Sequence, residues 1–158
     1  LAGIETGIVM LLLGDSSILA KALNNDGFGQ SVEKFLTDVT DNKYVFLLIV
    51  NLILLLIGIF IEPLPALYIV APFLAPVAVI EFGIDPVHFG LIVVFNLVIG
   101  LIHPPVGLVL FLVSSIAKVS IERLSVMIIP WLLVSLFVLF LVTYLPSSIV
   151  LVLSNLLH

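Results

Sequence analysis

Thirty-one consecutive residues, Val87 to Ala117, contain no Lys, Arg, Asp or Glu. As one α-helix they would measure about 45 Å, against a bilayer hydrocarbon core of about 30 Å. The pair Pro104-Pro105 interrupts the run. Neither proline has an N–H to donate, and each pushes the residue before it, His103 and then Pro104, out of the α region. The run therefore reads as two half-helices, about Val87–Leu101 and Val106–Ala117, meeting at an unwound segment near mid-membrane. Non-helical backbone at that depth persists only where it is buried in protein or lines a polar cavity, and transporters place ions and substrates there.

Composition agrees with a chain that lives in lipid. Of 158 residues, 63% are hydrophobic and 9% charged, where soluble domains carry about a quarter charged residues. The fold class is an all-α polytopic membrane protein, in contact with the lipid bilayer on most of its surface. A net charge of −5 leaves no basic surface to neutralise phosphates, which argues against nucleic acid as a partner. The absence of Cys excludes disulfides, thiolate metal sites and Cys nucleophiles without fixing the compartment. No HExxH, GxSxG or P-loop motif is present, and the three His are scattered, so an enzyme is not expected. The first residue is Leu, with no basic region before the apolar stretch, so Leu1–Leu13 is not a signal peptide. It reads as the end of a membrane helix, and the chain is expected to be a piece of a longer protein.

Gly14–Ser17 can cap a short helix to Leu23, and Asn24–Gly27 is a turn. In Ser31–Val39, Val32, Phe35, Leu36 and Val39 recur at helical spacing among charged residues, the pattern of an amphipathic helix lying along the membrane interface. Segment B, Tyr44–Ile61, runs into Glu62-Pro63-Leu64-Pro65, and segment C, Ala66–Ile80, follows. Two readings compete: a re-entrant hairpin with its tip at Glu62–Pro65 buried mid-membrane, or two full spans with that tip in water. Segment C has 15 residues, short for a span, and this favours the re-entrant hairpin. Asp85-Pro86 starts the broken helix with Pro in its first turn. Arg123–Leu145 is an unambiguous span that Pro130 should kink, and Pro146–His158 is a short interfacial tail. Parity puts residues 15–43, 81–86 and 146–158 on one side and 118–122 on the other. Tyr44 and Tyr144 then share a side, as an aromatic belt would have it. The basic residues, three against two, are too even to orient the chain.

Glu62 is the carboxylate set within the apolar stretches, so it either takes part in a site or sits at a tip that reaches water. The His103 ring, in the other break, can relay protons, tie the two breaks together or fill space, while backbone carbonyls freed by the prolines are natural cation ligands. Asn51 and Asn96 more often tie helices together than bind ligand. Gly100 and Gly107 flank the break and Gly58 precedes the tip, where close backbone approach is useful. Capping accounts for Asp85 and His88.

Gly58 to Pro63, Pro72 to Pro76, Gly83 to Gly90, and Asn96 to Gly107 with its Pro-Pro-Val-Gly break resemble, in order and spacing, the C-terminal part of the DctM-like large membrane subunit of TRAP (tripartite ATP-independent periplasmic) transporters. The resemblance extends from about Tyr44 to Leu145. It implies one inverted-repeat half of an elevator-type secondary transporter of the ion transporter superfamily. Residues 1–43 would be a helix end and interfacial arm, 44–117 the hairpin and broken helix of the transport domain, and 118–158 the final span and tail. It implies sodium as coupling ion, held by Gly58 and Glu62 at the tip and by Gly100, His103 and Pro105 at the break. Substrate contacts would come from Glu62, Pro63, Asn96, Pro104, Val106 and Gly107. It further implies uptake of small organic acids across the bacterial inner membrane, a small four-helix membrane subunit, a periplasmic substrate-binding protein and a periplasmic C-terminus. Two positions depart from the family pattern: His103 stands where Thr is usual, and Glu62 where Asp is usual. The rival readings are a carboxylate carrier of the same architecture that works without a binding protein, and a non-transporting membrane module in which the breaks are packing kinks.

Overall fold

The computed structural model describes residues 27–104 and 106–145, with scattered positions between 7 and 22. The expected helix end Leu1–Leu13, the cap at Gly14–Ser17, the short helix to Leu23, the Asn24–Gly27 turn and the tail Pro146–His158 lie wholly or partly outside the described residues, as does Pro105.

Helix α1 spans Phe28–Val39, three residues longer at its start than the periodicity suggests. Leu36 is 1% exposed, and Val32, Phe35 and Leu36 face Ile53, Ile57, Val70 and Leu74 across an apolar groove. The amphipathic helix is thus docked on the next two helices by one stripe, while Phe35 and Val39 stay open on its flank. Helix α2 covers Lys43–Phe60, started by Asn42, whose side chain accepts the Tyr44 N–H at 2.9 Å. Its buried residues Phe46, Leu47, Val50, Asn51, Leu54 and Gly58 form a stripe at three- and four-residue spacing.

Helix α3 begins at Pro63, runs through Pro72 to Pro76, and continues as a π-helical turn over Val77–Glu81. Proline in a helix interior removes an N–H and crowds the carbonyl four residues back, and a wider turn is one way to absorb this. Here Phe82 N–H reaches Val77 O at 3.3 Å, and Gly83, at φ +60°, lets Ile84 N–H reach Ala78 O at 2.9 Å. The apolar helix Pro63–Glu81 therefore has 19 residues, long enough to cross a membrane. This corrects the reading of segment C as a 15-residue piece: Pro63 and Pro65 belong to the helix's first turn, where a missing N–H costs nothing. Length no longer favours a re-entrant hairpin over two full spans.

Helix α4 (Pro86–Gly100) is capped by Asp85, whose carboxylate accepts from Val87 and His88 N–H at 2.9 and 3.0 Å. It is the central helix, with buried residues from His88 to Gly100 on several faces. Helix α5 (Leu108–Ala117) follows the break, and α6 (Ile121–Tyr144) closes the bundle, beginning two residues before the expected Arg123 and running through Pro130 unbroken. α2 and α4 run in the same direction. Their N-terminal ends share a polar pocket with the C-terminal end of α6, lined by Tyr44, Asp85, His88 and Thr143, and their C-terminal ends meet at Gly58 and Gly100. Tyr44 and Tyr144 lie at this common end, rings 6.1 Å apart, with the Tyr144 hydroxyl donating to Tyr44 O at 3.2 Å. By length and apolarity α2, α3 with its π turn, and α6 can each cross a membrane, as a multi-pass membrane protein requires.

Candidate functional site

The break occupies Leu101–Gly107, between the end of α4 and the start of α5. α4 tightens as it ends: Leu101, Ile102 and His103 N–H bond the carbonyls of Val98, Ile99 and Gly100 at 3.2, 3.2 and 3.1 Å, each three residues back. The loop then closes on itself, with Gly107 N–H on His103 O at 2.9 Å and Val109 N–H on Leu101 O at 3.2 Å. A side chain at Gly107 would overlap Leu101 O, so the closure needs glycine there. The His103 ring does not reach across to the tip; its Nδ1 lies 2.7 Å from the neighbouring Pro104 O.

Gly100 O and His103 O each take one backbone N–H, and a carbonyl has two lone pairs. Each therefore keeps one lone pair for a cation, fewer than an entirely unpartnered carbonyl would offer. These oxygens lie at a half-helix C-terminus, the negative end of the helix dipole.

The tip faces this break. Ile61 N–H ends α2 on Ile57 O at 2.9 Å, Glu62 is extended and exposed, and Ala66 N–H returns to Glu62 O at 3.0 Å. Gly58 and Gly100 are in backbone contact: a Cβ on Gly100 would lie 2.5 Å from Gly58 Cα and 2.6 Å from Gly58 O. Beyond that contact, Glu62, Pro63 and Leu64 from the tip and Leu101, Val109 and Leu112 from the break and α5 line one cleft of about 350 Å³. The structure so brings together Gly58, Glu62, Pro63 and Gly100, with Gly107 and His103 held in the adjoining loop. Pro104 and Val106 are partly exposed in that loop.

Asn96 is placed differently from the other expected substrate contacts. It is fully buried one turn below Gly100, its amide bonded to Asn51 and Ile92, and it does not line the cleft. His88 is more than a turn residue: it is 5% exposed, and its Nε2 lies 2.7 Å from Val142 O, tying α4 to the last turn of α6. Thr143, bonded to Asn51, was not singled out by sequence reasoning, since a lone hydroxyl near the end of an apolar helix carries no pattern. Among the described residues there is no group of three or more His, Cys, Asp or Glu placed to hold a metal ion.

The family model described as "Tripartite ATP-independent periplasmic transporter, DctM component" matches residues 2–148. The chain belongs to the DctM family. Its relatives include the uncharacterized protein YgiK of Salmonella typhimurium, 42% identical over 91% of this chain and 33% of the relative. The C4-dicarboxylate TRAP transporter large permease protein DctM of Rhodobacter capsulatus is 41% identical over 96% of this chain and 34% of the relative. The sialic acid TRAP transporter large permease protein SiaM of Vibrio cholerae is 36% identical over 90% and 33%. The chain spans about a third of the length of these curated relatives. Those with an assigned role are named as permease proteins of transporters, a role that is not enzymatic. The matched residues include both the tip and the break, which line one cleft in the fold.

Proposed function

We propose that this DctM-family chain is part of the large permease of a sodium-coupled secondary transporter that takes up small organic acids. The observation that carries the reading is the backbone contact of Gly58 with Gly100, which sets the carboxylate-bearing tip against the unwound break. Sodium would be held by the carbonyls of Gly58, Gly100, His103 and Pro105 and by Glu62. Both half-helix C-termini present partial negative charge to it, and the lone pairs left on Gly100 O and His103 O are hard oxygen donors. The substrate would lie in the adjoining cleft, against Glu62, Pro63, Pro104, Val106 and Gly107. α2 and α3 would form a re-entrant hairpin that moves with the broken helix as an elevator, one half of an inverted repeat. The similarity to permeases named for C4-dicarboxylate, sialic acid and isethionate supports an acidic organic substrate. Membership of the family supports two partners, a periplasmic substrate-binding protein and a small four-helix membrane subunit. The chain would lie in the bacterial inner membrane with its C-terminus in the periplasm.

The test is uptake of a panel of small carboxylates and sulfonates into proteoliposomes holding the full-length permease with its small subunit, with and without sodium and the binding protein. Uptake that needs both supports the reading. Uptake that persists without either contradicts it.

A further inference from the structure

Asn51 and Asn96 meet in the interior between α2 and α4. Asn96 Nδ2 donates to Asn51 Oδ1 at 2.6 Å and to Ile92 O at 2.7 Å, and Asn51 Nδ2 donates to Thr143 Oγ1 at 3.1 Å. Asn51 is 7%, Asn96 0% and Thr143 2% exposed. The core around them is aliphatic, with Val50 and Leu54 of α2 and Val93 and Leu97 of α4 in one cluster. Aliphatic surfaces specify position weakly, since a slide along the helices exchanges one such contact for another. A buried amide pair specifies it strongly, because each alternative register strands an amide without a partner.

The amide pair and the glycine contact join the same two helices. Asn51 and Gly58 are seven residues apart, about 10.5 Å along α2 and on one face, and Asn96 and Gly100 are four residues apart, about 6 Å along α4. Both contacts are made at once on helices that run in the same direction, so holding the amides together limits how far α2 can slide before Gly58 leaves Gly100. The pair also carries a cost that a leucine would avoid: Asn96 Oδ1 is buried with no partner among the described residues. Contact area alone does not account for a polar group held at that cost.

We infer that Asn51 and Asn96 are a positioning pair that sets the axial register of α2 against α4, and through it the placement of the Glu62 tip beside the Leu101–Gly107 break. The consequence for ion binding rests on the proposed sodium site; the register itself does not.

The experiment uses the full-length permease, cysteine-free outside an introduced pair, Leu64→Cys on the tip and Val109→Cys on α5, bridged by a bifunctional maleimide. Both positions line the cleft between tip and break, and this chain has no native Cys to compete. Asn96→Leu is expected to lower the cross-linking yield about five-fold, the factor that loss of one buried hydrogen bond gives. The double variant Asn51→Leu/Asn96→Leu leaves neither amide unpaired and lets Thr143 bond its own helix, so it folds. It should cross-link as poorly as the single variant, and its half-saturation for radioactive sodium should rise by a similar factor. A double variant that folds and cross-links with wild-type yield overturns the inference. Poor cross-linking with unchanged sodium binding upholds the register role and counts instead against the ion site at the break.

Discussion

Gly58 and Gly100 touch through their backbones, and the contact is asymmetric. A methyl group on Gly100 would lie 2.5 Å from Gly58 Cα, whereas one on Gly58 would meet Leu97 O at 3.1 Å. Backbone atoms cannot step aside as a flexible side chain can. Gly100→Ala should therefore push the tip from the break and destabilise the purified permease by about 1–3 kcal/mol, the usual cost of overpacking, with Gly58→Ala clearly milder. Thermal unfolding of the two variants in detergent checks the order. Equal stabilities would mean that the contact is looser than it stands here.

Glu62 contributes the tip carboxylate of the cleft shared with Leu101 and Val109. Replacing it by Gln keeps the shape and removes the charge. If the carboxylate contacts sodium, half-saturation in sodium-dependent uptake should rise about ten-fold, in line with loss of one charge-assisted contact. The maximal rate at saturating sodium should change less. Unchanged sodium dependence would restrict Glu62 to ending α2 and starting α3.

His88 joins α4 to α6 through a 2.7 Å contact with Val142 O, a carbonyl in the last turn of α6 with no helical N–H ahead of it to accept. His88→Phe fills the volume and removes the partner, leaving that carbonyl unpaired. A loss of about 1–3 kcal/mol in thermal or denaturant stability is expected. Tyr144→Phe, at the half-exposed hydroxyl contact nearby, should cost far less.

Lys118 ends α5 in the left-handed region, φ 54° and ψ 38°, where residues other than glycine carry a steric cost. Lys118→Gly should stabilise the protein by about 1 kcal/mol or leave it unchanged, with uptake intact. A clear loss of stability would show that the Lys118 side chain makes a contact outweighing its backbone strain.

The two breaks were readable from the sequence because proline acts locally: Pro63 and Pro104 remove donors wherever the chain goes. The start of α4 was readable for the same reason, since Asp85-Pro86 is a complete capping signal within two residues. The start of α3 was not. Glu62-Pro63-Leu64-Pro65 reads as a break between helices, whereas Pro63 and Pro65 lie in the first turn of α3, and the π turn at Val77–Glu81 that follows Pro72 and Pro76 has no signal in the sequence. The polar ties of α6 were hidden for a different reason. Val142 acts through its carbonyl, which every residue has, and Thr143 pairs with a residue 92 positions away. The resemblance groups Glu62 with Gly100 in the proposed site, whereas the burial of Asn96 depends on α2 and α4 running side by side, which hydrophobic periodicity does not encode.

The proposed function depends on the tip and the break together holding a sodium ion. Equilibrium binding of radioactive sodium to the purified full-length permease, wild type against Gly100→Ala, tests it most directly. A half-saturation raised about ten-fold or more in the variant, as separation of the two sets of donors would cause, is the expected result. Superimposable binding curves for the two proteins would contradict it.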